Sequence, residues 1–149
     1  MYKRILIATD GSDLSARGLD KGLELAAQLG AAVDIVTVSE PWAVGMYDAM
    51  GWSVGYETSP EYKKDREDAA QKILQPAVDV ARASGIANVV SHHVLDRYAA
   101  DGIIETAETC GCDLIVMTSH GRRGVTRVLL GSQTTEVLVR TKLPVLVIR

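Results

Sequence analysis

From Asp113 the chain reads Asp113-Leu114-Ile115-Val116-Met117, then Thr118-Ser119-His120-Gly121-Arg122-Arg123-Gly124-Val125-Thr126-Arg127-Val128-Leu129-Leu130-Gly131-Ser132-Gln133-Thr134. The first five residues form a short apolar run suited to a strand buried on both faces. Glycines in the segment that follows let a backbone approach a ligand closely. Gly131-Ser132 then opens a helix that the pattern carries to Thr141. The first amides of a helix have no partner within it, and the helix dipole is positive at that end. Together they make a ready anion site. Arg122, Arg123 and Arg127 add planar forks suited to phosphate oxygens, and Ser132 adds a hydroxyl. The chemistry points to a polyphosphate. A plainer arrangement suits the same residues: Ser132 as a helix cap and the arginines as a solvated surface. The chain contains no Gly-Lys-[Ser/Thr], so it has no P-loop, and no dinucleotide fingerprint follows the first strand.

Working outward, the rest of the chain alternates strand and helix patterns. Lys3 to Thr9 reads as a first strand ending in the turn cluster Asp10-Gly11-Ser12. A helix starts near Ser12 or Asp13 and stops at Gly30, with Leu19, Leu23 and Ala26 at helical spacing. Gly18 and Gly22 lie four apart on one face, which suits close packing of that helix on a sheet. Val33 to Val38 is a second strand. Ser59-Pro60-Glu61 is a helix start, with Ser as cap, Pro at the first position and an acid in the first turn. That helix runs to Ser84, and Pro76 inside it is expected to kink it or break it in two. Val89 to Leu95 is a third strand, Ala100 to Thr109 a helix, and Val145 to Ile148 the last strand. This alternation predicts an α/β fold with a parallel sheet. In such sheets ligands bind beyond the C-terminal ends of strands, where strand order reverses. The loops to inspect therefore follow strands one and four. Between Pro41 and Ser59 lies a long irregular stretch with Trp42, Met46, Tyr47, Met50, Trp52 and Tyr56. It reads equally as a lid or partner surface and as an aromatic cap on the core.

Composition bounds the function classes. With 149 residues the chain has the length of one domain, 1–149, and 47% hydrophobic residues suffice for a packed core. Phe is absent, so the core must be aliphatic. The net charge of −3 excludes a chain-wide basic field for nucleic acid. The average hides an asymmetry, because residues 118–142 carry a net +4 and the remainder −7. A basic loop on an acidic body suits one small polyanion held at one place. No apolar run approaches the roughly 20 residues of a bilayer span, and Met1 to Asp10 does not read as a signal peptide. Two cysteines cannot form a disulfide framework, which fits a reducing, cytoplasmic setting.

Several motifs resemble the universal stress protein family. They are the strand running into Asp10-Gly11-Ser12, the Asp113-Leu-Ile-Val-Met strand, Ser119-His-Gly-Arg-Arg-Gly, Leu129-Leu-Gly-Ser, and the closing Leu143-Pro-Val-Leu-Val-Ile. The resemblance covers the whole chain and is most specific in its last third. It implies a five-stranded parallel sheet of order 3-2-1-4-5 with helices on both faces, Rossmann-like and similar to the adenine-nucleotide alpha-hydrolases. Strands one and four then lie side by side. Nucleotide-binding members carry Gly, two residues, Gly, nine residues, Gly, then Ser or Thr. Here Gly121, Gly131 and Ser132 match, while Thr118 stands where the first glycine would be. A β-branched residue there narrows the approach to the ligand. The resemblance implies that Asp10 sits near an adenosine and that the Val38 backbone meets the adenine edge. It implies that Gly121, Gly131, Ser132, Gln133 and Thr134 surround phosphates. The full candidate set is Ala8, Thr9, Asp10, Val38, Met117, Thr118, His120, Gly121, Arg122, Arg123, Gly131, Ser132, Gln133 and Thr134.

The expected ligand is ATP, or else ADP, AMP or cyclic AMP, with Mg²⁺ accompanying it. The expected role is a stress-response or signalling module. A dimeric scaffold of the same fold without nucleotide is the alternative, and a slow ATPase a weaker one. No catalytic residue is assigned. The family also commonly dimerises by pairing its last strands, and Val145 to Ile148 is an apolar edge that needs cover. No nucleic-acid or membrane partner is expected.

Cys110, Cys112, His92, His93 and His120 make a tempting metal list. His92 and His93 are adjacent in a strand, so their side chains point to opposite faces. Usual zinc spacings are absent. Cys110 and Cys112 precede strand four, at the end of the sheet opposite the ligand loops, and read as buried or half-buried thiols. No metal ligand is assigned.

Overall fold

The computed structural model describes residues 1–41, 59–120 and 130–149. The element order is β1 (Arg4–Ala8), α1 (Asp13–Leu29), β2 (Ala32–Ser39), α2 (Pro60–Ala83), β3 (Val89–Leu95), α3 (Ala99–Thr109), β4 (Leu114–Thr118), α4 (Ser132–Arg140) and β5 (Val145–Ile148). The five strands form one parallel sheet of order β3-β2-β1-β4-β5. The class is the one that the alternation of strands and helices predicts, and the strand order is the one that the family resemblance implies.

Strand alternation divides the core into two layers. Ile5, Ile7, Val33, Ile35, Leu114 and Val116 face α1 and α2. Leu6, Val36, Ile115 and Met117 face α3 and α4. The central strands are buried on both sides, which is why they read as unbroken aliphatic runs. Gly18 and Gly22 make the α1 contact possible. A Cβ on Gly18 would stand 2.6 Å from Thr118 Cγ2, and one on Gly22 would stand 2.7 Å from Ile7 Cδ1.

Helix ends follow local chemistry. Ser12 Oγ accepts from Ser15 N–H at 3.2 Å, and α1 stops at Gly30, whose φ of +64° closes the last turn. Ser59 Oγ likewise accepts from Tyr62 N–H at 3.1 Å. One expectation is corrected: Pro76 does not divide α2, which is continuous from Pro60 to Ala83. Proline removes one helical hydrogen bond and crowds the carbonyl four residues back. Pro76 lies on the exposed side of the helix, where water can take that carbonyl, while Leu74, Ala77, Val78 and Ala81 anchor the opposite side.

Beyond the C-terminal end of β3, Tyr62 holds α2 in place. It is 1% exposed, and its hydroxyl donates to Asp96 Oδ1 at 2.8 Å. Burial and the bond to Asp96 push the Tyr62 pKa up, so it remains a neutral donor. Asp96 has a φ of +55°, and its N–H donates to the Ser39 carbonyl at 2.9 Å. The start of α2 is thereby fixed over the ends of β2 and β3, beside the switch point between β1 and β4.

Candidate functional site

A cleft of about 690 Å³ opens beyond the C-terminal ends of the strands. Ala8, Thr9, Asp10, Val38, Met117, Thr118, His120, Gly131, Ser132, Gln133 and Thr134 all line it. Gly121, Arg122, Arg123 and Arg127 lie outside the described residues, as does the aromatic stretch from Trp42 to Tyr56.

The cleft is built by three segments. The first leaves β1. Thr9 N–H continues the pairing by donating to the Val36 carbonyl at 3.0 Å, and Thr9 Oγ1 lies 3.0 Å from Ser15 Oγ. Asp10 then turns the chain, its Oδ1 accepting from Ser12 N–H at 2.9 Å and Ser12 Oγ at 2.6 Å. The second segment is the end of β2. The β1–β2 register stops at Ala8 opposite Val36. Backbone groups alternate sides along a parallel strand, so Val38 directs its N–H and C=O toward β1 as Val36 does. Among the described residues no backbone bond to β1 follows there. A donor and an acceptor thus stand side by side on the cleft wall.

The third segment runs from β4 to α4. Thr118 is 7% exposed, its Oγ1 donates to the His120 carbonyl at 2.9 Å, and its methyl sits against Gly18. Both branches are therefore engaged by neighbours rather than held out toward a ligand. His120 Nδ1 lies 3.1 Å from Ser119 Oγ, which pins the ring to the loop. Gly131 N–H donates to the Ser119 carbonyl at 2.7 Å. Thr134 Oγ1 donates to the Thr118 carbonyl at 2.9 Å. These bonds draw the start of α4 tightly against the end of β4. A Cβ on Gly131 would meet the Ser119 carbonyl oxygen at 3.0 Å, so this approach needs glycine. The α4 N-terminus has no side-chain cap among the described residues. Gln133 is turned away from it and accepts from Ala100 N–H at 2.9 Å.

Sequence reading missed part of the wall. Arg66, Ala69, Ala70 and Ile73 of α2 line the cleft, as do Ala99 and Ile103 of α3 and Glu40 after β2. Arg66 places a guanidinium there, with NH2 donating to the Glu40 carbonyl at 3.2 Å and its carbon 5.3 Å from the Tyr62 ring centre. Arg66 lies in a helix where basic and acidic residues alternate, so only the tertiary placement of α2 singles it out.

The arrangement defines a class: a Rossmann-like parallel sheet whose switch-point cleft pairs an aliphatic wall with a helix N-terminus. The model of the Universal stress protein family matches residues 1–149, and the chain belongs to that family. It is 32% identical over 152 residues to the universal stress protein MJ0531 of Methanocaldococcus jannaschii, covering 100% of this chain and 83% of that one. It is 29% identical to the universal stress protein YxiE of Bacillus subtilis, over 100% of both. Among solved structures, that of the hypothetical protein MJ0577 superposes with a TM-score of 0.81 at 26% identity, covering 99% and 96% of the two chains. A universal stress protein solved in complex with cAMP superposes at 0.69 with 29% identity, covering 99% and 97%.

Among the described residues, no helix is long and apolar enough to cross a membrane.

Proposed function

We propose that this protein binds an adenine nucleotide, ATP first among them, in the cleft between the ends of β1 and β4. One observation carries the reading. Among the described residues the start of α4 has no side-chain cap and the Val38 backbone no bond to β1, and the two stand at the same cleft. The first suits phosphate, by unpaired amides and a positive dipole end. The second suits the edge of a base, by one donor and one acceptor. Ala8, Val38, Met117 and Ile103 supply apolar surface for the base, and Asp10 a carboxylate for sugar hydroxyls. The 29%-identical relative in complex with cAMP supports the same ligand class.

The residues present fit such a ligand. The backbone amides of Ser132, Gln133 and Thr134 would hold the phosphates with Gly121, Arg122 and Arg123, and Mg²⁺ would accompany a polyphosphate. Thr118 does not argue for a nucleotide-free scaffold, because its methyl is seated on Gly18 and its hydroxyl on the loop. No base is assigned to activate water, so any hydrolysis is slow. The protein acts as a ligand-reading module in the cytoplasm, and a homodimer forms through the outer edge of β5. Calorimetry with ATP, ADP, AMP and cyclic AMP tests the reading. Saturable heat with at least one of them is expected, and no heat with any of the four overturns it.

A further inference from the structure

At the other end of the sheet, four segments bring a second set of chemical groups together. Asp34 of β2 is fully buried, yet it lies on the face toward α3. His92 of β3 reaches it across the strand pair, with Nε2 2.6 Å from Asp34 Oδ1. Cys110 caps α3, and its Sγ lies 3.6 Å from the same His92 nitrogen. Gly111, at a φ of +67°, turns the chain so that Cys112 follows on the same side, its Sγ 3.8 Å from Asp34 Oδ2. The ligand atoms of Asp34, His92 and Cys110 all lie within 4.8 Å of one another.

We infer that Asp34, His92 and Cys110, with Cys112 as fourth ligand, form a binding site for a thiophilic divalent transition metal such as Zn²⁺. The donor set of two sulfurs, one imidazole and one carboxylate suits zinc by its softness. The spacing suits it too. Ligands about 2.0–2.3 Å from a tetrahedral ion stand roughly 3.3–3.8 Å apart. The Cys110–His92 and Cys112–Asp34 separations fall in that range, the His92–Asp34 pair needs to open by about 1 Å once an ion replaces the shared proton, and Cys112, outside the group of mutually close atoms, must turn inward to complete the four.

Charge also balances. A dication with two thiolates adds no net charge to what two neutral thiols present. Arg4 stays as outer partner of the carboxylate, its Nε donating to Asp34 Oδ2 at 2.5 Å, as ligating carboxylates require. Access is open from the rim, since the His92 side chain is 26% exposed and Cys110 is half-buried. Separation in sequence hides the site: residues 34, 92, 110 and 112 match no ligand spacing, and only the register of Val36 with His92 aligns the first two. The site lies at the opposite end of the sheet from the cleft and is independent of the nucleotide reading.

The test is titration of the reduced, chelator-stripped full chain with Co²⁺, followed by displacement with Zn²⁺. We expect thiolate-to-cobalt charge-transfer absorption, visible bands of a tetrahedral site, saturation at one ion per chain, and their loss on adding zinc. Cys110→Ser and His92→Gln, at partly exposed positions, should each weaken binding at least about 10-fold while circular dichroism stays that of the parent. Absence of the charge-transfer band in the parent overturns the inference. So does a band that keeps its affinity in both variants, which would mark an ion bound elsewhere.

Discussion

Gly18 and Thr118 form a closely fitted residue pair beside the cleft. Thr118 stands where the resemblance in sequence implies the first glycine of the motif, and Gly18 supplies the room its methyl occupies. Gly18→Ala gains about 1 kcal/mol of helix propensity but drives a Cβ into that methyl, and overpacking of this kind costs about 1–3 kcal/mol. A net destabilisation is expected in denaturant unfolding. In a Thr118→Ser background, which removes the methyl and keeps the hydroxyl, the same change should be neutral or stabilising. Equal loss in both backgrounds would refute direct contact as the cause. Gly131 is different. Its Cβ would press on a backbone carbonyl rather than on a movable side chain, so Gly131→Val is expected to displace the β4–α4 loop as well as to crowd the phosphates. Gly18 and Gly22 were legible as packing glycines from their spacing. The partner of Gly18, Thr118, was not, because it lies on a strand 100 residues away in sequence.

Among the elements, α2 determines how the site is walled. It is joined to the sheet by Tyr62 at one point and by Glu67 at another, where Glu67 Oε2 lies 2.6 Å from His93 Nδ1. Hydrogen bonds from Gln71 and then from His93 hold the Glu67 carboxyl below its ordinary value. A lowered carboxylate pKa stabilises the fold above the unfolded value, about 4.3, and the gain fades as pH falls through that value and below. Glu67 is half exposed, so the gain stays under about 1 kcal/mol. Glu67→Gln should therefore be less stable than the parent near pH ~7 and level with it near pH ~3. A gap that does not change with pH would contradict this. Element types and order were readable from hydrophobic runs, caps and glycine stops, with ends shifted by about one residue where strand pairing extends past the apolar run, as at Ala32 and Ser39. Of the two outcomes expected of Pro76, the break does not occur: α2 runs through it, because the carbonyl that loses its partner lies on an exposed side of the helix. His92 and His93 do point to opposite faces, one to Asp34 and one to Glu67. The buried Asp34 and its part-exposed partner Arg4 gave no sign of themselves: an acid inside an aliphatic strand looks like a solvent-facing residue until the sheet is assembled. Burial alone pushes Asp34 up, but bonds and charge from Arg4 and His92 outweigh it and hold the carboxyl below its usual range. The same burial, with the Asp34 charge, pushes the Cys112 thiol up to about 12.

Taken as a whole molecule, the sheet carries a cleft, proposed above to take a nucleotide, where the strands finish, and a sulfur–imidazole–carboxylate cluster where they begin. Its edges are β3 and β5. β5 is half-buried along its length, so pairing of two copies there covers an apolar edge. Sedimentation should give twice the chain mass at micromolar concentration, and a chain that stays monomeric would refute that pairing. The location of the cleft was legible early, because alternating strands and helices fix where ligands sit in such folds, while the α2 contribution required the fold itself. ATP is proposed to bind across the ends of β1, β2 and β4. Amide chemical-shift mapping during an ATP titration tests it most directly. Saturable shifts are expected at Asp10, Val38, Gly131, Ser132, Gln133 and Thr134, with Asp34, Cys110 and Cys112 unmoved. Shifts that avoid the first group, or none at saturating ATP, would contradict it.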